Sequence, residues 1–213
     1  MAIFDNADFY PTPPEVILQM LLGVDIENKV FLEPSAGKGD IIDHLNTNGA
    51  KNVLFCENES ELAELCSKKG QMVGDDFMNL ESHKVSHIDF IVMNPPFSKD
   101  EHHILHAWDL LPPGASLFSL CNYETYNKHH FRARNQLKII VDTYGSIENL
   151  GDVFHSAERK TDVEIGLIKL HKPKGEGEDE FEGYFDMNEE EEEQANGIMG
   201  YNEVRNIVNR YTQ

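Results

Sequence analysis

Basic residues are scarce in this chain: 18 lysines and arginines stand against 38 aspartates and glutamates, for a net charge of −20 over 213 residues. Nucleic-acid affinity rests largely on phosphate contacts, so a broad basic face is excluded and any polyanion must be held by a local basic strip or a partner protein. The acidity is uneven. Residues 172–213 hold 12 acids and 4 bases, which leaves −12 for residues 1–171. Cysteine is scarce too. Cys56, Cys66 and Cys121 have neither metal-ligand spacing nor the density of a disulfide scaffold, so they read as small buried residues, with no zinc and no disulfide. No apolar run approaches the roughly 18 residues of a membrane span. The start of the chain, with Asp5 and Asp8 and no basic cluster, does not resemble a signal peptide, so the expected location is cytoplasmic, away from any membrane. His102 and His106 stand four apart, as metal ligands on a helix can, but no third ligand accompanies them and no metal is expected.

What the chain does have is an alternation of short apolar runs and helical patterns. Tyr10-Pro11-Thr12-Pro13-Pro14-Glu15 predicts a helix start, with Thr12 as N-cap, Pro13 at the first helical position and Glu15 completing a capping box. Strands are predicted at 29–32, 52–56, 71–73, 87–93, 115–121, 146–154 and 163–171. Helical spacing recurs at Ile41, Ile42 and Leu45, over 60–69, at Ile104, Leu105, Trp108 and Leu111, and within 129–143. Strands alternating with helices predict an α/β domain with a doubly wound, mainly parallel sheet. No helix separates the last two strands, which are therefore expected to pair antiparallel. Residues 172–197 are too charged and too poor in apolar groups to pack, and read as an acidic linker. Residues 198–213 read as a short amphipathic helix. It lacks a stop signal, and we expect the chain to be the front part of a longer protein.

Asn94-Pro95-Pro96-Phe97 follows the predicted strand 87–93, at a strand end where an open α/β sheet binds ligands. The prolines remove two backbone donors and leave carbonyls free to accept, Asn94 adds a side-chain carbonyl, and Phe97 can stack on a flat heterocycle. The group suits an exocyclic amine on a planar base. After the first strand, the loop Glu33-Pro34-Ser35-Ala36-Gly37-Lys38-Gly39 places Gly37 and Gly39 where backbone can approach a ligand at a helix N-terminus. It is no dinucleotide fingerprint, because Ile42 stands where the third glycine belongs. Glu33 would repel a pyrophosphate and suit a cation. Glu57, with Asn58 beside it, is placed to accept ribose hydroxyls, and Asp76 and Phe77 to take an adenine amine and cover its ring. Together these describe a site for S-adenosylmethionine.

On these motifs the chain, over about 10–171, resembles the class I S-adenosylmethionine-dependent methyltransferases, and within them the amino-methylating adenine DNA methyltransferases in their compact phage and bacterial forms. The resemblance sets Tyr10, Thr12 and Pro13 in an N-terminal cofactor motif, and Glu33, Pro34, Ala36, Gly37 and Gly39 in the cofactor loop. It makes Glu57 the ribose-binding acid, Asp76-Phe77 the adenine-contacting pair and Asn94, Pro95, Pro96 and Phe97 the catalytic motif. It implies a Rossmann-like seven-stranded sheet and direct methyl transfer to the N6 amine of adenine in DNA. The absence of a Pro-Cys pair argues against methylation at carbon 5 of cytosine. The space before Leu170 is too short for a target-recognition region, so a partner for recognition is possible. The expected nucleic-acid contacts are Lys128, His130, Arg132 and Arg134, with Lys138 nearby, and Arg159 and Lys160 between the last two strands. An RNA adenine, a protein glutamine amide and a catalytically silent binding module remain as alternatives.

Overall fold

The computed structural model describes residues 10–128, 131–154 and 163–174. The chain divides into Met1–Glu176 and Gly177–Gln213, and every described residue belongs to the first of these units.

Seven strands, β1 (Val30–Glu33), β2 (Asn52–Cys56), β3 (Gln71–Gly74), β4 (Phe90–Met93), β5 (Ser116–Asn122), β6 (Gly145–Gly151) and β7 (Ile165–His171), form one sheet in the order β3-β2-β1-β4-β5-β7-β6. β1 to β5 pair in parallel, whereas β7 lies antiparallel to both β5 and β6. The helices are α1 (Pro14–Met20), α2 (Asp40–Thr47), α3 (Ser60–Cys66), α4 (Asp100–Leu110), α5 (Tyr123–Asn127) and α6 (Arg132–Tyr144). This is the expected Rossmann-like α/β sheet, mainly parallel with its last strand antiparallel to its neighbours. β1 is buried at all four positions, as a central strand covered on both faces must be, which explains the apolar run Val30-Phe31-Leu32 ahead of Glu33. One face of the sheet carries an aromatic ladder across β1, β4 and β5: Phe31 stacks on Phe90 at 5.0 Å between centroids and Phe90 on Phe118 at 5.9 Å.

Strand order reverses between β1 and β4. Their C-terminal ends, Glu33 and the residue after Met93, flank the crevice in which such sheets bind ligands.

Three local outcomes differ from expectation for identifiable reasons. The first helix starts at Pro14, one residue late, because the Pro14 ring pushes Pro13 out of the helical region; Pro13 sits at φ −61, ψ 145 as N-cap, with no side-chain cap. Thr12 is therefore not the cap. β5 runs straight into the unpredicted α5, whose N-cap Asn122 accepts from the Glu124 amide at 2.9 Å. α6 runs straight into β6 through Gly145, where a Cβ would lie 1.9 Å from the Lys169 carbonyl oxygen, so only glycine fits.

Asp100, wholly buried at the start of α4, ties that helix to the end of β5. Its carboxyl accepts from the Asn122 amide at 2.7 Å and from the Thr125 hydroxyl at 2.9 Å. Burial, and then the neighbouring Glu101 carboxyl, push its pKa up to about 7. Among the described residues no helix is long and apolar enough to cross a membrane.

Candidate active site

A cavity opens at the reversal of strand order. Its walls come from the entry segment before α1 (Tyr10, Pro11, Thr12), the end of β1 and the following loop (Glu33 to Lys38, Asp40, Ile41), Glu57 and Asn58 after β2, Asp75 to Phe77 after β3, Asn94 and Pro96 after β4, and His103 of α4. Five carboxylates face one lysine in this lining, Glu33, Asp40, Glu57, Asp75 and Asp76 against Lys38, so the space favours a cation over a pyrophosphate.

The loop between β1 and α2 is stitched to the end of β2. Ala36 donates its amide to the Cys56 carbonyl at 3.1 Å, and Gly37, at φ 54, donates to Glu57 Oε2 at 2.7 Å. Glu57 Oε1 accepts from the Glu59 amide at 2.9 Å, which fixes the carboxylate while leaving each oxygen a second lone pair. Burial raises the Glu57 pKa and these amides oppose it.

Glu33 is 2 % exposed, in the middle of the sheet. Burial pushes its carboxyl well above the usual carboxylate range, Asp40 and Glu57 add to the rise, and the Ile42 amide at the start of α2 opposes it. Its Oε2 has no hydrogen-bond partner. A buried acceptor without a partner costs about 1–3 kcal/mol, so this position is tolerable where a ligand completes it.

Asn94 is held by the entry segment. Its Nδ2 donates to the Tyr10 carbonyl at 2.9 Å and lies 3.1 Å from the Thr12 hydroxyl. A backbone carbonyl can only accept, so the amino end of the carboxamide must face Tyr10 and the carbonyl end must face away. Among the described residues no donor engages Asn94 Oδ1 or the Pro95 carbonyl. The Thr12 hydroxyl thus serves the carboxamide instead of capping α1.

Of the residues expected at the cofactor, Tyr10, Thr12, Glu33, Pro34, Ala36, Gly37, Glu57, Asn58, Asp76, Phe77 and Asn94 all line the cavity. Two do not. Pro13 is itself buried as the N-cap of α1, and Gly39 faces α3, where a Cβ would lie 3.1 Å from Cys66 Sγ and 3.2 Å from Lys69 Cδ. Gly39 serves the fold as the left-handed N-cap of α2, at φ 79. Gly39→Ala is expected to cost roughly 1–2 kcal/mol from the left-handed backbone alone, read as a lower midpoint in urea. Of the catalytic quartet, Asn94 and Pro96 line the cavity, whereas Pro95 is buried beside it and Phe97 is braced by Tyr10 at 5.5 Å and Phe154 at 5.9 Å. Phe154, fully buried after β6, carried no motif in the sequence and is recognised only through this contact.

His103 was likewise missed, because its helical position matched no motif. The loop after β3 is pinned by Asp76, which accepts from the Met78 amide at 3.0 Å and Asn79 Nδ2 at 2.7 Å, and by His106 Nε2, 3.0 Å from the Phe77 carbonyl. Among the described residues no group of three or more His, Cys, Asp or Glu could hold a metal ion.

The expected nucleic-acid contacts divide. Lys128 and Arg132 are exposed, and Lys128 pairs with Glu124. His130, Arg159 and Lys160 lie outside the described residues. Arg134 turns inward: its Nε lies 3.2 Å from Glu101 Oε1, and only 24 % of its side chain is exposed. Lys138 is engaged by Tyr126 and Asp142. Arg134→Ala is expected to destabilise the fold by roughly 1–3 kcal/mol, since it strands a mostly buried carboxylate. A phosphate contact at this position would instead show, if nucleic acid is offered and bound, as a salt-dependence slope reduced by about 1 in the variant.

No protein-family model and no curated protein matches the chain. Solved structures do match in fold. An RNA methyltransferase from Salinibacter ruber in complex with S-adenosyl-L-homocysteine superposes with a TM-score of 0.54 at 13% identity, over 79% of this chain and 97% of that one. The 23S rRNA methyltransferase ErmE gives 0.59 at 15%, over 79% and 73%. A dimethyladenosine transferase from Plasmodium falciparum gives 0.59 at 15%, over 76% of this chain and 63% of that one. At such identities the likeness establishes the fold, that of the class I S-adenosylmethionine-dependent methyltransferases.

Proposed function

We propose that this protein is an S-adenosylmethionine-dependent methyltransferase acting on the exocyclic N6 amine of adenine in DNA. The observation that carries the proposal is the orientation of Asn94, whose amino end is tied to Tyr10 and Thr12 so that its carbonyl is left for a substrate amine.

The cavity residues suit the cofactor. Glu33, with its unpartnered buried oxygen, would meet the cationic part, Glu57 the ribose hydroxyls, and Asp76 and Phe77 the adenine. When bound, S-adenosylmethionine supplies an electrophilic methyl on a sulfonium.

An adenine amine is a poor nucleophile because its lone pair is delocalised into the ring. Asn94 Oδ1 and the Pro95 carbonyl would each accept a hydrogen bond from the amine, holding the nitrogen nearer to tetrahedral and aiming its lone pair. Neither acceptor needs to reorganise, because the Tyr10 tether and the proline backbone fix both in advance. Phe97 would stack on the base, which must leave the duplex to reach the site. Recognition of the DNA is assigned to Lys128, His130, Arg132, Arg159 and Lys160, or to a partner protein, since the net charge provides no broad basic face.

RNA adenine is the second reading. It is favoured by the RNA methyltransferase, rRNA methyltransferase and dimethyladenosine transferase among the similar structures. Tritiated S-adenosylmethionine offered with unmethylated DNA, rRNA and protein, followed by mass analysis of nucleosides, separates them. N6-methyladenine in DNA is the expected product. Label confined to rRNA would move the assignment to the second reading, and no label with no cofactor binding would remove it.

A further inference from the structure

We propose that His103 reads the adenine of the cofactor, donating from its imidazole to one of the two ring nitrogens that flank the exocyclic amine while Asp76 accepts from that amine. The inference rests on reading the cavity as an S-adenosylmethionine site and adds to it the residue that sets base specificity.

His103 lies one turn into α4 and enters the cavity beside Asp75, Asp76 and Phe77, with its ring 5.8 Å from that of Phe77. Its Nδ1 is buried with no hydrogen-bond partner. A neutral imidazole carries one N–H and one lone pair, and an orphaned N–H is the costlier of the two to bury, so Nδ1 keeps the lone pair and Nε2 carries the hydrogen. Burial holds the ring neutral by pushing its pKa down to about 4. His103 therefore offers a single uncharged donor.

Packing alone does not explain a histidine here. A phenylalanine or leucine would fill the space beside Phe77 without burying a polar nitrogen, and the task of pinning the loop already falls to His106, through the Phe77 carbonyl. Asp76 supplies the complementary half. Its two oxygens are oriented by Met78 and Asn79, and each retains a further lone pair. A donor beside an acceptor matches an adenine edge, where a ring nitrogen accepts and the amine donates. Hypoxanthine presents an oxygen in place of that amine and sets lone pairs against the Asp76 carboxylate.

The test is calorimetric titration of the full chain with S-adenosylhomocysteine, its 1-deaza and 7-deaza analogues, and S-inosylhomocysteine. The native protein should bind one deaza analogue roughly 3–10-fold more weakly than the parent, the value of one neutral hydrogen bond, and the inosyl compound more weakly still. His103→Phe keeps the ring and should bind the parent and that analogue equally. His103→Gln, which restores a donor at similar reach, should recover the difference. Equal binding of the parent and both deaza analogues by the native protein overturns the proposal without any variant, as does a penalty that survives in His103→Phe. If the native protein binds none of the four compounds, the reading of the cavity itself falls, and this proposal with it.

Discussion

Asn94→Ala is expected to lower the rate of methyl transfer by roughly 10²–10³-fold, the usual effect of deleting one preorganised hydrogen-bonding group at a reacting centre, while S-adenosylhomocysteine still binds. The expectation follows from the division of labour at the carboxamide. Its amino end is consumed by Tyr10 and Thr12, at 2.9 and 3.1 Å, and only its carbonyl end remains for chemistry. Alanine removes that acceptor but leaves the walls around Glu33 and Glu57 in place. Asn94→Asp should fall between the two, since it keeps an acceptor but sets a carboxylate oxygen against the Tyr10 carbonyl. Single-turnover transfer of a tritiated methyl, with cofactor affinity measured separately, reads both quantities. A variant at position 94 that loses cofactor binding and transfer in equal measure would show that the residue builds the pocket and does not act on the amine.

The second large effect is expected at Glu33, and its sign depends on what is bound. The folded protein raises this carboxyl's pKa, mainly by burial. Between the ordinary carboxylate range and the raised value, the folded chain holds a proton that the unfolded chain has released, so stability falls as pH rises through that window. Glu33→Gln has no such proton to lose. Without ligand, the variant should gain stability relative to the native chain on going from pH 4 to pH 8, since only the native chain loses stability as pH rises through that window. With ligand the advantage passes to the native chain. A cation that pairs with the ionised group restores what burial took away, so Glu33→Gln should bind S-adenosylhomocysteine roughly 10–100-fold more weakly, the value of a charge-assisted hydrogen bond. For the native chain, affinity should climb with pH as Glu33 ionises. Thermal unfolding at the two pH values, with and without ligand, checks both halves, and unchanged affinity in the variant would remove Glu33 from the site.

Most of the sheet was readable in the sequence because buried parallel strands show as short apolar runs, and β1, β2 and β4 are of this kind. The antiparallel pairing of β6 and β7 followed from the missing helix between them. The lining of the cavity was readable where position at a strand end singles out a residue: an acid ending β1, a second just after β2, an amide before two prolines. What stayed hidden depends on contacts between distant segments. The sequence offered Thr12 as a cap, and a local rule for prolines could have shifted the helix start by one residue. That its hydroxyl would instead serve Asn94 is a tertiary fact. Gly39 looked like a ligand-facing glycine because spacing cannot tell a close approach to a ligand from one to α3. Arg134 looked like a phosphate contact because nothing local distinguishes a basic residue in solvent from one turned towards Glu101. Phe154 and His103 matched no pattern, and only the folding of their segments against the cavity reveals them.

The bond from Asn94 to Tyr10 spans 84 residues of chain and is made to main chain, so no substitution at position 10 can delete it directly. The Asn94 carboxamide is leashed by a stretch of backbone that belongs to no strand of the sheet. Shortening the chain to begin at Pro13 would remove both partners of the carboxamide together with part of the cavity wall, so ligand affinity and the fixed orientation of Asn94 should be lost together. Whatever draws the Tyr10 segment away would untie the carboxamide, and a substitution that loosens the Tyr10 ring from Phe97 is the simplest agent to try.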